Sequence, residues 1–225
     1  MPASLEDHLN EEQIALIHSL DHPSKIQAFL DEITYSAEDS NRSPLNVLHD
    51  RQAHCLDGAL FAAAALRRLG FPPLVIDMYP DPGMDDDHVL AIFMVDSCYG
   101  AVAKSNFVGL RYREPVYRGL RELVMSYFED FFNVDGVKTL RTYTRPLNLK
   151  TFDRLGWEWS NAGVDAIEKR LLGLARIPLL KPAVAAHLSP IDPLSYKAGM
   201  LNVNYAGLYK PTTRSLPSRL ASYKA

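Results

Sequence analysis

The sequence predicts an α+β fold, and three observations predict it. His54 to Gly70, H-C-L-D-G-A-L-F-A-A-A-A-L-R-R-L-G, reads as one helix that is apolar nearly all round, and such a helix belongs inside a domain. Leu74 to Phe107 then breaks into short apolar runs divided by turn residues, the pattern of strands joined by hairpins. Helical periodicity occupies the chain before and after these two stretches. Together they give a central helix packed on a small antiparallel sheet and flanked by further helices.

The elements follow in order. Asn10 with Gln13 forms an N-terminal cap pair for a first helix carrying Ile14, Ile17 and Leu20. Pro23 opens a second helix with Ile26, Phe29, Leu30 and Ile33 on one face. Residues 36–46 are a loop by composition, and a short segment from Val47 to Ala53 leads into the central helix. Gly70 suits the position after the last helical turn, and Pro72-Pro73 stop its continuation. Leu74 to Tyr79, His88 to Val95 and Ala101 to Phe107 read as strands, with the hairpin turn at residues 96–100. Pro115 is placed at the start of a long helix reaching about Asn133, with Leu120, Leu123, Val124, Tyr127, Phe128 and Phe131 as its buried stripe. Ala162 to Leu174 is another helix, and the proline-rich remainder is an extended segment on the body, frayed after Lys210. The organisation expected is a single domain over residues 1–210, with helices in 1–35, a core in 45–133, a C-terminal helix and extended segment in 134–210, and a tail in 211–225.

Composition narrows the function classes. The net charge of −3 gives no argument for nucleic acid or an anionic membrane as partner. No apolar run approaches the roughly 20 residues that span a bilayer. The N-terminus is acidic and lacks a hydrophobic signal core. Two cysteines do not make a disulfide framework, so a reduced, cytoplasmic protein is expected. The oligomeric state stays open.

Cys55 is the first candidate for chemistry. It falls in the first helical turn, where free N–H groups and the positive end of the helix dipole converge. That setting favours a thiolate, lowering a cysteine pKa from roughly 8.5 to about 3.5–7.5 in reactive examples. A thiol nucleophile needs a base, and the base needs an orienting group. His88 opens the second strand, and the returning strand places Ser105 to Phe107 opposite it. Asn106 is the better orienting residue and Ser105 the fallback. Gln52, just before the helix, is a candidate second oxyanion donor beside the Cys55 N–H. Arg111 and Arg113, in a dense arginine run, are candidates for holding a substrate carboxylate or phosphate, although structural pairing with Glu114, Glu122 and the acidic loop is the favoured reading. Asp87 belongs to Asp85-Asp86-Asp87, which reads as a solvated loop at the mouth of a site. Consecutive carboxylates point in different directions, so neither metal nor another cofactor is expected.

The stretch A-H-C-L-D-G-A-L-F-A-A-A-A-L-R-R-L-G-F-P-P and the segment D-D-D-H-V-L-A-I-F resemble the core of the transglutaminase-like superfamily, over about residues 45–107. The resemblance implies a papain-like core with Cys55 as nucleophile and His88 as its histidine. That family usually carries an aspartate as third residue, in a strand with a tryptophan. Here the corresponding stretch is G-A-V-A-K-S-N, with neither. Two function classes follow. One is a cysteine-dependent amide or peptide hydrolase, or an acyl or amine transferase, working through a thioester on a peptide or small-molecule amide or acyl substrate. The other is a binding module that kept the scaffold without the activity.

Overall fold

A computed structural model describes residues 5–212. The expected tail from residue 213 onward lies outside the described residues. The helices are α1 (Glu11–Ser19), α2 (Pro23–Glu32), α3 (Pro44–Asp50), α4 (Cys55–Arg68), α5 (Leu120–Met125), α6 (Asn161–Leu172), α7 (Pro182–Ala185) and α8 (Pro193–Gly199). The strands are β1 (Thr34–Tyr35), β2 (Gln52–Ala53), β3 (Leu74–Pro80), β4 (His88–Val95), β5 (Cys98–Val102), β6 (Arg113–Tyr117), β7 (Leu140–Thr144), β8 (Leu147–Asn148) and β9 (Arg176–Pro178). The fold is therefore mixed helix and sheet.

The main sheet is larger than the sequence suggested. It is antiparallel and seven-stranded, in the order β6-β5-β4-β3-β7-β9, with β8 also paired to β3. β7 to β9 come from chain beyond residue 134, where the sequence carries weak strand signals. β4 and β5 are joined through Asp96 and Ser97, both with positive φ (47° and 63°) between the paired Val95 and Cys98. Two consecutive left-handed residues match the right-handed twist of a two-residue hairpin, and aspartate tolerates that region better than most residues.

Both faces of this sheet are covered. Val75, Val89, Ala91, Phe93 and Val102 belong to the apolar cluster built with α2, α4 and α6. Ile76, Met78, Leu90, Ile92 and Ala101 belong to the second cluster, with Leu123, Val124, Tyr127 and Phe131. β3 and β4 consequently read as nearly continuous apolar runs, without the alternation of a half-exposed strand.

α4 is the element around which the first cluster forms. Every residue from Cys55 to Leu66 is buried. Its start is capped by Asp57, whose carboxylate accepts from the His54 N–H at 3.2 Å and the Arg42 N–H at 2.7 Å. Phe61 stacks on Phe29 of α2 with ring centroids 4.7 Å apart. The helix ends before Gly70, whose φ of 92° suits glycine. At the exposed end Arg67 pairs with Asp153 at 2.7 Å and with Glu158 at 3.3 Å.

The expected long helix from Pro115 is not formed. Pro115 lies within β6, an edge strand, where a residue without an N–H costs no ladder bond on its outer side. The helical part is only Leu120–Met125, yet the forecast stripe is buried apart from half-buried Leu120, with Tyr127, Phe128 and Phe131 carried by the turns that follow. The returning strand is shorter than expected and ends at Val102. The segment before α4 is helical from Pro44, where Ser43 caps the Asn46 N–H. The proline-rich remainder contains β9, α7 and α8, not extended chain alone.

Residues 103–106, just past β5, are moored on α2. The Gln27 carboxamide donates to the Ala103 carbonyl at 2.9 Å and accepts from its N–H at 3.0 Å. The Lys104 ammonium donates at 2.6 Å to each of the Leu30 and Ile33 carbonyls, at the open C-terminal end of the helix. α4 meets this segment at Gly58, where an added Cβ would stand 2.2 Å from the Lys104 Cβ. Gly58→Ala should therefore lower the unfolding free energy in urea titrations. Overpacking of about 1–3 kcal/mol exceeds the helix-propensity gain of up to about 1 kcal/mol.

Candidate functional site

Cys55 lies, as expected, in the first turn of the buried helix, on the floor of a cleft of about 750 Å³. Tyr35, Asp77, Asp87, Glu168 and Tyr209 are among the residues that line the cleft with it. The thiol is not poised as a thiolate. Burial pushes its pKa well up, and the negative charges of Asp87 and Asp86 push the same way. Its Sγ–H points at the Asp87 carbonyl, 3.9 Å away.

Among the described residues, Cys55 and His88 are not hydrogen-bonded to one another. β4 runs past the start of α4, and the pleat sends successive side chains to opposite faces. Val89 faces α4 and lines the Cys55 cleft. His88 faces the other way, as do Leu90 and Ile92, and meets the Phe131 ring edge-on at 6.5 Å. Its Nε2 lies 2.8 Å from the Leu110 carbonyl, which makes that nitrogen the N–H donor. Burial lowers its pKa to about 4, against the opposing effect of the Leu110 bond, so the ring is neutral at pH 7.

The other expected site residues are dispersed. Ser105 and Asn106 share a hollow of about 40 Å³ with His88. Asn106 does not orient the ring, because its carboxamide is engaged with Asn204: Oδ1 accepts from the Asn204 N–H at 2.7 Å and Nδ2 donates to the Asn204 carbonyl at 2.9 Å. The Ser105 hydroxyl accepts from the Phe107 N–H at 3.0 Å. Gln52 pairs with Thr34 in a short parallel ladder outside the cleft. Arg111 pairs with Asp31 at 3.4 Å. Arg113 is held by the Ser126 hydroxyl at 3.0 Å and lies 4.0 Å over the Tyr127 ring. Neither arginine lines the cleft, so local pairing with acids and aromatics describes them. Asp87 does line it, and burial raises its carboxyl pKa to about 7, helped by Asp86. His54 turns its ring back to Asp57, with Nε2 3.3 Å from Oδ1.

Sequence reasoning missed three parts of the cleft. Asp77 was visible as the one acid in L-V-I-D-M-Y. It is 1% exposed, and its Oδ1 has no hydrogen-bond partner among the described residues. Glu168 and the wall formed by residues 206–210 come from distant chain and carried no local signal. Among the described residues, no group of three or more His, Cys, Asp or Glu side chains is arranged to hold a metal ion, and no helix is long and apolar enough to cross a membrane.

Comparison with protein-family models gives no match, and neither does comparison with curated proteins. Among solved structures, this chain is similar to Legionella pneumophila LapG at 15% identity and to its EGTA-treated form at 16%. Each alignment covers 75% of this chain and 98% of the other, with a TM-score of 0.41. A likeness of that size fixes neither a site nor an activity.

The state of His88 has a measurable consequence. Its folded pKa of about 4 lies below the ordinary 6.5. Below pH 6.5 the unfolded chain takes up a proton that the folded chain refuses. The stability contributed by the neutral ring is complete above that pH and is lost as pH falls toward 4, by about 2 kcal/mol at pH 5. His88→Gln should flatten the acid limb of urea-derived stability, removing a loss of about 2 kcal/mol at pH 5. Parallel limbs in the two proteins would contradict the assignment.

Proposed function

We propose that this chain is a ligand-binding module on a transglutaminase-like framework, in which Cys55 forms part of a cleft floor and is not a nucleophile. One observation carries the reading: the Cys55 thiol donates to the Asp87 carbonyl and the His88 imidazole to the Leu110 carbonyl, so neither is hydrogen-bonded to the other. Thiol catalysis requires a base within hydrogen-bond reach of the sulfur, and the side chains around Cys55 supply carboxylates, which raise a thiol pKa. The framework part of the proposal is supported by the cysteine-led buried helix, the antiparallel sheet it packs on and the order Cys55, then His88. The binding part is supported by the cleft, whose volume of about 750 Å³ falls in the range typical of ligand sites. An amide hydrolase or acyltransferase working through a Cys55 thioester would need His88 to leave the Phe131 side of the sheet and cross to the α4 side.

Alkylation separates the two classes. With iodoacetamide at pH 7 and peptide-resolved mass spectrometry, Cys55 should react at least about tenfold more slowly than a free thiol, because a buried thiol in apolar or anionic surroundings is inert. His88→Ala should leave that rate unchanged. Rapid alkylation of Cys55 that slows in His88→Ala would replace this reading with the enzymatic one.

A further inference from the structure

The Asn106 carboxamide pairs with main chain at two points, as the Gln27 carboxamide does with Ala103. Oδ1 accepts from the Asn204 N–H at 2.7 Å, and Nδ2 donates to the carbonyl of the same residue at 2.9 Å and to that of Gly207 at 3.4 Å. One amide thus reads both main-chain groups of one extended residue, since Asn204 has φ −79° and ψ 103°. Such a clamp recognises backbone and is indifferent to the side chain it holds. Asn106 is itself buried and held by a segment moored on α2, so the clamp is preformed.

The chain held in the clamp then crosses the cleft. The Asn204 side chain donates to the Tyr35 carbonyl at 3.0 Å, residues 206–210 wall the Cys55 cleft, and the Thr212 N–H reaches the Gly83 carbonyl at 2.9 Å. The strap passes close to the Tyr35 ring at Gly207, where a Cβ would lie 3.0 Å from it. The facing walls carry Glu38, Asp39, Asp86, Asp87 and Glu168, and exposed Lys210 of the strap lines the same cleft.

Building on the binding reading above, we infer that the Asn106 clamp and the acidic cleft form a site for an extended basic peptide, and that residues 204–210 occupy this site in cis. Backbone pairing at Asn106 fixes the peptide's path, and the carboxylate walls select positive side chains. A tethered occupant competes at high effective concentration, so a peptide in trans gains the site when the strap's own hold is weakened.

The test uses the full chain and a fluorescent synthetic peptide with the sequence of residues 203–212. Asn204→Pro keeps a φ that proline accepts, removes the N–H read by Asn106, and removes the side-chain bond to Tyr35. The peptide should bind Asn204→Pro at least about tenfold more tightly than the unaltered chain, judged by fluorescence anisotropy, with the tenfold step corresponding to loss of about one to two hydrogen bonds from the competing strap. The double variant with Asn106→Leu should lose that gain. Equal binding to the unaltered chain and Asn204→Pro would overturn the inference, and so would a gain that survives Asn106→Leu. Should Asn204→Pro fold poorly, hydrogen exchange over residues 203–208 in the unaltered chain and in Asn106→Leu serves instead: faster exchange in the variant is expected, and unchanged exchange would overturn the clamp. Cleavage of the bound peptide would support the peptide site and refute the non-catalytic reading, whereas an inert Cys55 with no peptide gain would refute the peptide site alone.

Discussion

The approach of α4 to the sheet sets the geometry of everything near the cleft. Alanines along the helix and Gly58 at its contact with Lys104 let the helix axis come close to β4 and the segment after β5. Close approach leaves no room for a polar side chain between helix and sheet. The residues of β4 that face α4 are therefore Val89, Ala91 and Phe93. With the opposite face filled by α5 and the aromatic turns after it, each β4 side chain is committed to one side. His88 takes the side of Leu110 and Phe131, and with that choice Cys55 is left among carboxylates.

Magnitudes explain why the helix terminus does not make Cys55 a thiolate. A favourable helix dipole at a terminus contributes about 0.3–1 kcal/mol, and up to about 2 kcal/mol when partly buried. Full burial of a titrating group is worth about 4–7 kcal/mol at its largest. Asp87 and Asp86 add to the burial effect instead of opposing it. The first-turn position that made Cys55 look reactive is real, yet it is the weaker influence at this site. A reactive cysteine needs a terminus that is also open and electropositive.

How far the sequence could be read follows from the range of the forces involved. The capping box at Asn10 and Gln13, the proline opening α2, and the strand at His88 to Val95 all rest on local chemistry and appear where the residues place them. The central helix was legible because no polar face interrupts it. The face taken by His88 was not legible, because a strand buried on both sides shows no alternation to reveal its phase. Pro115 was compatible with a helix start and with an edge strand, and only the pairing of β6 with β5 decides between them. The partner of Asn106 lies 98 residues further on, across a span with no pattern linking the two. Asp77 was a legible anomaly whose meaning depended on Asp87 and Glu168 standing on the same side.

The mooring of residues 103–106 ties together parts of the molecule far apart in sequence. On one side this stretch holds α2 through Gln27 and Lys104, and on the other it holds the strap through Asn106. Early and late chain are thus fastened to the same four residues. When α2 lifts, the anchorage that fixes the clamp goes with it, and the strap keeps only its bonds to the Tyr35 and Gly83 carbonyls. Local opening then takes in both ends as one cooperative unit, and the hold of the cleft's cover is tied to a helix packed beside α4.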